Sequence, residues 1–456
     1  MGICMSICEG CGDPLPKSRE RPLEEEDIKV LEIEKRKDEQ LACLPGRICV
    51  NGSTANASIY SQQGKKGINQ DCMLVWEDFG NQEDTVFCGV FDGHGPHGHL
   101  VARRVRDSLP STIIDQWQEQ IAADSSSSNG NQSTDSSELT ESNVKDDSDL
   151  DKDKSRMYSM WKESHLRAFE VMDEALQWHP ILNCSCSGTT AVTVIKQDQD
   201  LVIANVGDSR AILGTLSDDN KLMAVQLTRD LKPNVPQEAE RIRLCRGRVF
   251  SSEDEPEVYR VWLPNDDSPG LAMARAFGDF CLKDFGVIAV PEITYRHLTS
   301  RDQFVVLATD GVWDVLTNEE VVRIVSSAPR EEAAKVVVQR AVRGWKRKYP
   351  TSRMDDCATV CLYVDSQSAV RKDNHEHLES MDVNVNDTSQ NNAVSSNTVG
   401  EEKTENPSKQ EGQNNKESRR TLAECIATDE WSALDGMSRV NSLLRLPRFI
   451  KGDEKI

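Results

Sequence analysis

Aspartates stand at the ends of several short apolar runs in this chain. Asp92 ends the run FCGVFD and Asp310 ends FVVLATD, and each is followed by glycine. Asp208 follows LVIANVG, and Asp71 directly precedes CMLVW. Runs rich in β-branched and aromatic residues are typical of buried strands. A carboxylate at the rim of such a strand is costly to desolvate unless a cation or hydrogen bonds compensate it.

The pattern predicts that these carboxylates converge on hard cations. Asp355 and Asp356 precede a further run, CATVCLYV, and few basic residues flank the acidic positions. All-oxygen ligands without a thiolate select Mg²⁺ or Mn²⁺. Carboxylates gathered from separate strands suit a two-metal centre, which orients a water molecule for attack on phosphorus. The alternative for a single strand-end aspartate is a helix cap. At Asp92 the strand would end, Gly93 would turn the chain, and the carboxylate would cap a helix beginning near Pro96.

Three histidines, His94, His97 and His99, lie within six positions of one another just after this strand. They raise the alternative of a zinc site. Neither the spacing of the cysteines nor an HExxH pattern supports this alternative.

Composition excludes some classes of protein. The chain has 456 residues, a formal net charge of −22 and 37% hydrophobic residues, and its mean hydropathy is −0.56. The acidity argues against a nucleic-acid partner, since phosphate backbones require clustered Lys and Arg. No run of about 18 apolar residues is present to span a bilayer. The 14 cysteines are scattered, which favours reduced thiols in a cytosolic compartment over a disulfide framework.

The chain divides into three parts. Residues 1–45 are predicted to be a disordered N-terminal segment with lipidation signals, 46–366 a globular domain, and 367–456 a largely disordered tail. A Ser/Asp-rich stretch at 124–154 is predicted to be a disordered insertion within the globular domain. The end of the tail, around VNSLLR, recovers apolar residues and arginines, so the alternatives there are a docking element and plain disorder.

The globular part is predicted to be α+β. Strand-like runs include TTAVTVI, LVIANV, RAILGTL and QFVVLATD. Because the short segment VGDSR joins two of them, these two are expected to pair as antiparallel neighbours. Helical periodicity is present in YSMWKESHLRAFEVMDEALQ and in NEEVVRIVSSA, where Asn318 is the expected N-cap. Strands followed by helices indicate a layered domain rather than a doubly wound one.

Eight motifs, read in order, resemble the metal-dependent serine/threonine protein phosphatases of the type 2C family, particularly its plant members. They span about Tyr60 to Val364 and read GINQD, FCGVFDGHGPHG, SGTTAV, IANVGDSRA, LTRDLKPNVPQEAERI, LAMARAFGD, VVLATDGVWDVL and MDDCATVCL. The resemblance implies two packed, mainly antiparallel β-sheets flanked by helices, an α-β-β-α layered sandwich. It also implies hydrolysis of phosphoserine and phosphothreonine on proteins by a metal-activated water.

The same resemblance implies a set of metal ligands for two Mg²⁺ or Mn²⁺ ions and a third, more weakly held ion. Asp92 would bridge the first two ions, and the carbonyl of Gly93 would contact one of them. The remaining ligands would be Asp310 and Asp355 for the first ion, Asp71 through a bound water, and Asp208 and Asp279 for the third ion.

Three further residues carry roles or departures that the resemblance implies. His94 matches the family's proposed general acid, which protonates the departing alkoxide. Lys66 stands where animal relatives use an arginine to grip the phosphate, so a point charge replaces a bidentate fork. Gln70 stands where many relatives carry a glutamate that binds the second ion. The alternative function is therefore a catalytically weakened relative that acts as a binding or scaffold module.

The amino terminus reads MGICMS, which fits the pattern for N-myristoylation of Gly2. Cys4, Cys8 and Cys11 are available for palmitoylation as the second signal that stable anchoring needs; the alternative is that they are inert thiols. The expected partners are phosphoprotein substrates and a membrane, and the expected state is a monomer. The expected location is the cytoplasmic face of the plasma membrane and the cytoplasm, with the nucleus as an alternative.

Overall fold

The computed structural model describes residues 25–128, 147–349 and 354–364. Gly2, the nearby N-terminal cysteines and the C-terminal tail lie outside these ranges. Across the described residues, no helix combines the length and apolarity needed to cross a membrane.

The described ranges contain runs of consecutive strands separated by helices. The strands are β1 (Arg47–Ile48), β2 (Gly52–Ser53), β3 (Ala57–Gln62), β4 (Asp71–Glu77), β5 (Thr85–His94), β6 (Gly188–Thr189), β7 (Ala191–Gln197), β8 (Asp200–Val206), β9 (Arg210–Leu216), β10 (Leu222–Gln226), β11 (Arg248–Ser251), β12 (Tyr259–Leu263), β13 (Asp266–Leu271), β14 (Phe277–Gly278), β15 (Glu292–His297), β16 (Asp302–Ala308) and β17 (Cys357–Tyr363). The helices are α1 (Glu25–Ala42), α2 (Gly98–Ser128), α3 (Asp147–Gln177), α4 (Pro236–Leu244), α5 (Phe280–Lys283), α6 (Asp310–Trp313), α7 (Asn318–Ser327) and α8 (Ala333–Lys348).

Two antiparallel sheets form the centre of the fold. One has the strand order β1-β4-β5-β7-β8-β15, extended by β6 and β14, and the other has the order β10-β9-β16-β17-β3-β2. Apolar side chains from both sheets, including Val90, Val194 and Val360, are fully buried in one cluster between them. Alternation along each strand sends one face inward and the other toward helices.

Helices cover the outer faces of both sheets. Residues of α2 and α3, such as Leu109 and Phe169, pack with Phe87 and Phe91 of the first sheet. Residues of α7 and α8, such as Val321 and Val338, pack against the outer face of the second sheet. The predicted α-β-β-α layered sandwich is confirmed. A small third sheet, β11-β12-β13, shares a separate apolar cluster with α4 and α5.

The segment VGDSR does not form the predicted hairpin. β8 pairs with β7 and β15, whereas β9 pairs with β10 and β16, so the chain crosses from one sheet to the other at Gly207. The φ of Gly207 is 99°, and a Cβ there would lie 2.5 Å from the Cγ2 atom of Thr190. The prediction failed because a short connection between strands can join two layers as well as two neighbours. The crossing places Asp208 at the edge of the sandwich.

Two local predictions near element ends are corrected. β5 continues through Gly93 to His94, because both residues pair with β6, so Gly93 does not turn the chain and Asp92 caps no helix. The N-cap of α7 is Thr317 rather than Asn318, since the Thr317 side chain accepts from the amide of Glu320 in a capping box.

Helical structure enters two of the segments predicted to be disordered. α1 lies within residues 1–45, and α2 and α3 extend into the 124–154 insertion from both sides, to Ser128 and from Asp147. Residues 129–146 lie outside the described ranges. The three-part division of the chain otherwise stays a prediction.

Candidate metal centre

The first two predicted ligands face each other across neighbouring strands. Asp71 of β4 is the register partner of Asp92 of β5. The amide of Asp92 donates to the Thr190 hydroxyl over 3.0 Å. The Thr309 hydroxyl donates to Asp71 Oδ2 over 2.7 Å and accepts from the amide of Ala358 over 3.0 Å. One buried hydroxyl therefore joins both sheets at the site.

Three more aspartates come from the second sheet. Asp310 is the first residue of α6, directly after Thr309, and Asp355 and Asp356 precede β17. The carboxylate of Asp356 accepts from the amide of Gly64 over 2.6 Å and from that of Gln70 over 2.9 Å. These bonds hold the β3–β4 loop against the site, so Asp356 positions its neighbours.

Burial and mutual repulsion dominate the electrostatics of these carboxylates. Burial raises the pKa of Asp92 well above its usual range, and the charges of Asp310, Asp71 and Asp355 raise it further. The pKa values of Asp71 and Asp310 are raised well above their usual range for the same two reasons. Like charges raise one another's pKa when they are close and poorly solvated, so these carboxylates form one electrostatic cluster.

Asp208 lies at the same edge with a basic partner that the sequence analysis did not single out. The Lys232 ammonium lies 3.5 Å from Asp208 Oδ2, and Asp208 raises the pKa of Lys232. Burial still raises the pKa of Asp208, and within the described residues its buried Oδ1 has no hydrogen-bond partner. The run LTRDLKP contains Lys232 but gives no spacing signal that pairs it with Asp208.

A second residue that the prediction missed is Asp314. Its charge raises the pKa of Asp310, Asp208 and Asp355. The four-residue spacing from Asp310 was the available signal, because residues i and i+4 share one face of a helix.

Asp279 lies against the predicted general acid. Its Oδ2 is 2.6 Å from Nε2 of His94, and both side chains are buried. Burial alone lowers the pKa of His94, but the charge and hydrogen bond of Asp279 raise it, and the net direction is upward. The buried pair therefore favours the protonated imidazole that a proton donor requires.

Lys66 and Gln70 are both engaged within the site. The Lys66 ammonium forms a salt bridge with Asp355 and lowers the pKa of that carboxyl, although burial raises it more. The Gln70 amide donates to the carbonyl of Gly95 over 3.2 Å, and its buried Oε1 has no partner in the described part of the chain. Gly93 lies beside them, since its amide donates to the carbonyl of Gln70 over 3.2 Å.

The donor set fits hard divalent cations. Seven carboxylates line this edge against the ammonium groups of Lys66 and Lys232, and their oxygens are hard ligands. They belong to Asp71, Asp92, Asp208, Asp310, Asp314, Asp355 and Asp356. Their side chains are not arranged as a complete coordination shell. Among the described residues, no three His, Cys, Asp or Glu side chains are grouped tightly enough to hold an ion. This also applies to the three histidines of the zinc alternative. His97 donates its amide to the Ser187 hydroxyl, and burial lowers the pKa of His99 to about 4.

Comparisons with known proteins agree with this fold. The profile of the family described as protein phosphatase 2C matches residues 60–346. The chain is 49% identical over 451 residues to "Probable protein phosphatase 2C 33" of Arabidopsis thaliana, covering 91% of each chain. It is 50% identical over 458 residues to "Probable protein phosphatase 2C 66" of Oryza sativa subsp. japonica, covering 92% of this chain and 86% of the relative.

A solved structure shares the fold. The serine-threonine phosphatase 2C from Toxoplasma gondii matches with a TM-score of 0.59 at 20% identity, covering 70% of this chain and 99% of that one.

The layered sandwich and the sequence relatives define a protein serine/threonine phosphatase. The chain belongs to the protein phosphatase 2C family. Its relatives in Arabidopsis and rice make it a plant-like member.

Proposed function

We propose that the protein hydrolyses phosphoserine and phosphothreonine on other proteins and depends on Mg²⁺ or Mn²⁺ for this activity. The observation that carries the proposal is the cluster of buried carboxylates whose pKa values are raised by burial and by one another. Such a cluster is unfavourable without a counter-charge, and divalent cations supply it.

The ions would be held by Asp92, Asp310 and Asp355, with Gly93 and Asp71 beside them. Asp208 would bind a third, weaker ion, and Asp279 would contribute through the carboxylate oxygen that does not face His94. When bound, the ions supply an activated water and neutralise the charge of the phosphoryl group.

Two side chains would act on the substrate directly. The imidazole of His94, whose pKa is raised by Asp279 against the opposing effect of burial, would give its proton to the serine or threonine oxygen as the ester bond breaks. The Lys66 ammonium, which is paired with Asp355 at the site, would hold a phosphate oxygen. Asp355 would also be a ligand of the ion, so the Lys66 ammonium would face both that carboxylate and the substrate phosphate.

The proposal is tested with the purified full-length chain and a phosphothreonine peptide. Phosphate release should require added Mn²⁺ or Mg²⁺, stop with chelator and fall by at least 100-fold in Asp310→Asn. The matched control is Asp218→Asn, since Asp218 is an exposed surface aspartate paired with Arg301. Release that is unaffected by chelator would refute metal dependence, and Zn²⁺-restored release would favour the zinc alternative.

The alternative function, a weakened relative that acts as a binding module, is favoured by one observation. Gln70 offers a neutral amide at a position where many relatives carry a carboxylate, and its NH₂ group is committed to Gly95. The same peptide assay separates the two functions, since a binding module would retain the phosphopeptide without releasing phosphate.

We also propose that Gly2 is myristoylated and that Cys4 or Cys8 is palmitoylated, which would place the enzyme at the cytoplasmic face of the plasma membrane. The support is the MGICMS pattern and the neighbouring cysteines. Fractionation of Gly2→Ala should show loss of membrane association, and unchanged association would contradict the proposal.

A further inference from the structure

Two thiols lie within bonding reach beside the candidate metal centre. Cys186, just before β6, and Cys281, in α5, place their sulfur atoms 3.3 Å apart. Both residues are partly exposed, so a small oxidant can reach them from solvent. They are 95 positions apart in the chain, which means that the fold rather than local sequence brings them together.

The backbone holds the two segments in register. The amide of Phe280 donates to the carbonyl of Cys184 over 3.2 Å, and the amide of Cys281 donates to that of Ser185 over 2.9 Å. A disulfide bond needs a sulfur separation of about 2.05 Å, so the two sulfur atoms must approach by about 1.2 Å.

The same segments support the buried His94–Asp279 pair. The amide of Asp279 donates to the carbonyl of Ser187 over 3.0 Å. There is little free space between them, because a Cβ on Gly188 would lie 2.3 Å from Asp279 Oδ2 and 2.8 Å from His94 Nε2. A shift of the backbone between Cys186 and Gly188 would therefore bring it against Asp279 and His94.

We propose that Cys186 and Cys281 form an oxidisable pair whose disulfide lowers the activity of the neighbouring site; this effect on activity rests on the proposed function. The oxidant is a hydroperoxide such as hydrogen peroxide. One thiolate attacks the peroxide oxygen and breaks the O–O bond, which gives a sulfenic acid and, after protonation, water. The second thiol attacks that sulfur, the S–S bond forms, and a second water leaves. The two thiols lose two electrons in total, and one peroxide is reduced to two waters.

The experiment treats the full-length chain with hydrogen peroxide in chelator, removes the oxidant, and then measures both peptide masses and Mn²⁺-supported phosphatase activity. The expected result is a cross-linked peptide containing Cys186 and Cys281, 2 mass units lighter than the sum of the free peptides. Activity is expected to fall several-fold and to recover with dithiothreitol. Cys186→Ser and Cys281→Ser should each abolish the reversible loss. The matched control, Cys245→Ser, removes an exposed thiol elsewhere and should keep it.

The mass measurement separates this inference from the proposed function, since the disulfide is detected whether or not the protein is active. Free Cys186 and Cys281 after peroxide treatment of the unmodified chain would overturn the pairing, even if the serine variants failed to fold. A cross-link that leaves activity unchanged in an active enzyme would overturn the regulatory effect. Peroxide sensitivity retained in both serine variants would do the same.

Discussion

At the scale of single residues, the hydroxyl of Thr309 holds the two sheets together at the candidate metal centre. It is fully buried, donates to Asp71 and accepts from the amide of Ala358. We expect Thr309→Val to lower the free energy of unfolding by about 1–3 kcal/mol, because both partners are left buried without a hydrogen bond. Urea unfolding with chelator measures this, and Thr309→Ser, which keeps the hydroxyl, is the control. An equal loss in both variants would show that packing, not hydrogen bonding, is responsible.

Because Lys66 is paired with Asp355, replacing it should weaken substrate binding and strengthen metal binding. In Lys66→Met, the KM for a phosphopeptide should rise about tenfold with kcat little changed, since a charged contact to phosphate is worth about 1.4 kcal/mol or more. The Mn²⁺ concentration for half activation should fall, because the ammonium no longer competes for Asp355. Lys66→Arg should restore the KM. A variant with an unchanged KM would remove Lys66 from the phosphate site.

The residue at position 70 is expected to set the affinity of the site for its second ion. Gln70→Glu replaces the NH₂ group that donates to Gly95 with an oxygen that repels that carbonyl. In chelator the variant should therefore unfold more readily than the parent, by about 1–3 kcal/mol. With Mn²⁺ the added carboxylate should lower the concentration needed for half activation. Thermal unfolding and activity across a Mn²⁺ series measure both, and a variant less responsive to Mn²⁺ than the parent would refute the ligand role.

At the scale of elements, α3 contains a buried histidine that makes stability depend on pH. His165 is fully buried, lies 2.7 Å from the carbonyl of Trp161 through Nδ1, and burial lowers its pKa to about 4. The unfolded chain, with a pKa near 6.5, binds the proton more tightly. The stability contributed by neutral His165 is therefore fully present above pH 6.5 and is lost as the pH falls toward 4.

The corresponding variant is His165→Leu. When the pH is lowered from 7 to 5, protonation of His165 in the unfolded chain should lower the free energy of unfolding of the parent protein by roughly 2 kcal/mol. The leucine variant should lose correspondingly less over the same interval. Urea unfolding at the two pH values gives the comparison, and parallel losses in both proteins would contradict the assignment.

The strands themselves could be predicted from the sequence, but their partners could not. The apolar runs around Val192, Ile203 and Leu213 all became strands, because β-branched and aromatic content is a local property. Pairing is not local. The predicted hairpin at Asp208 is instead a crossing between the two sheets. Ile203 of β8 and Leu213 of β9 are buried in the same cluster between the sheets, so the two strands belong to facing layers.

At the scale of the whole molecule, the acidic site was predictable because each strand end carries its own aspartate. Convergence of Asp71, Asp92, Asp310 and Asp355 follows once the strands stack in two sheets. The basic partners were not predictable, since Lys232 reaches Asp208 from a different loop and Lys66 reaches Asp355 across 289 positions of sequence. The pairing of His94 with Asp279 is equally non-local. The tertiary packing determines which charged side chains meet. The spacing of residues in the sequence does not show these pairings.

The same cluster links the stability of the whole protein to metal and pH. Carboxyls whose folded pKa is raised contribute stability that is fully present below the unfolded value of about 4 and is lost as the pH rises through the folded value. That value is about 6 for Asp356, where burial is the main cause, and the direction is the same for Asp92 and Asp310. In chelator, these carboxyls therefore lower the free energy of unfolding of the protein more as the pH rises.

Bound cations oppose this loss of stability, because they favour the ionised carboxylates. At higher pH they also have fewer protons to displace. We expect the gap in unfolding free energy between Mn²⁺-loaded and chelated protein to widen steadily from pH 5 to pH 8. Asp310→Asn removes one of the raised carboxyls and should narrow the gap, whereas Asp218→Asn at the surface should not. Urea unfolding at matched ionic strength measures the gap. A gap that stays constant with pH in the parent protein would mean that the carboxylates are not the groups that bind the ion.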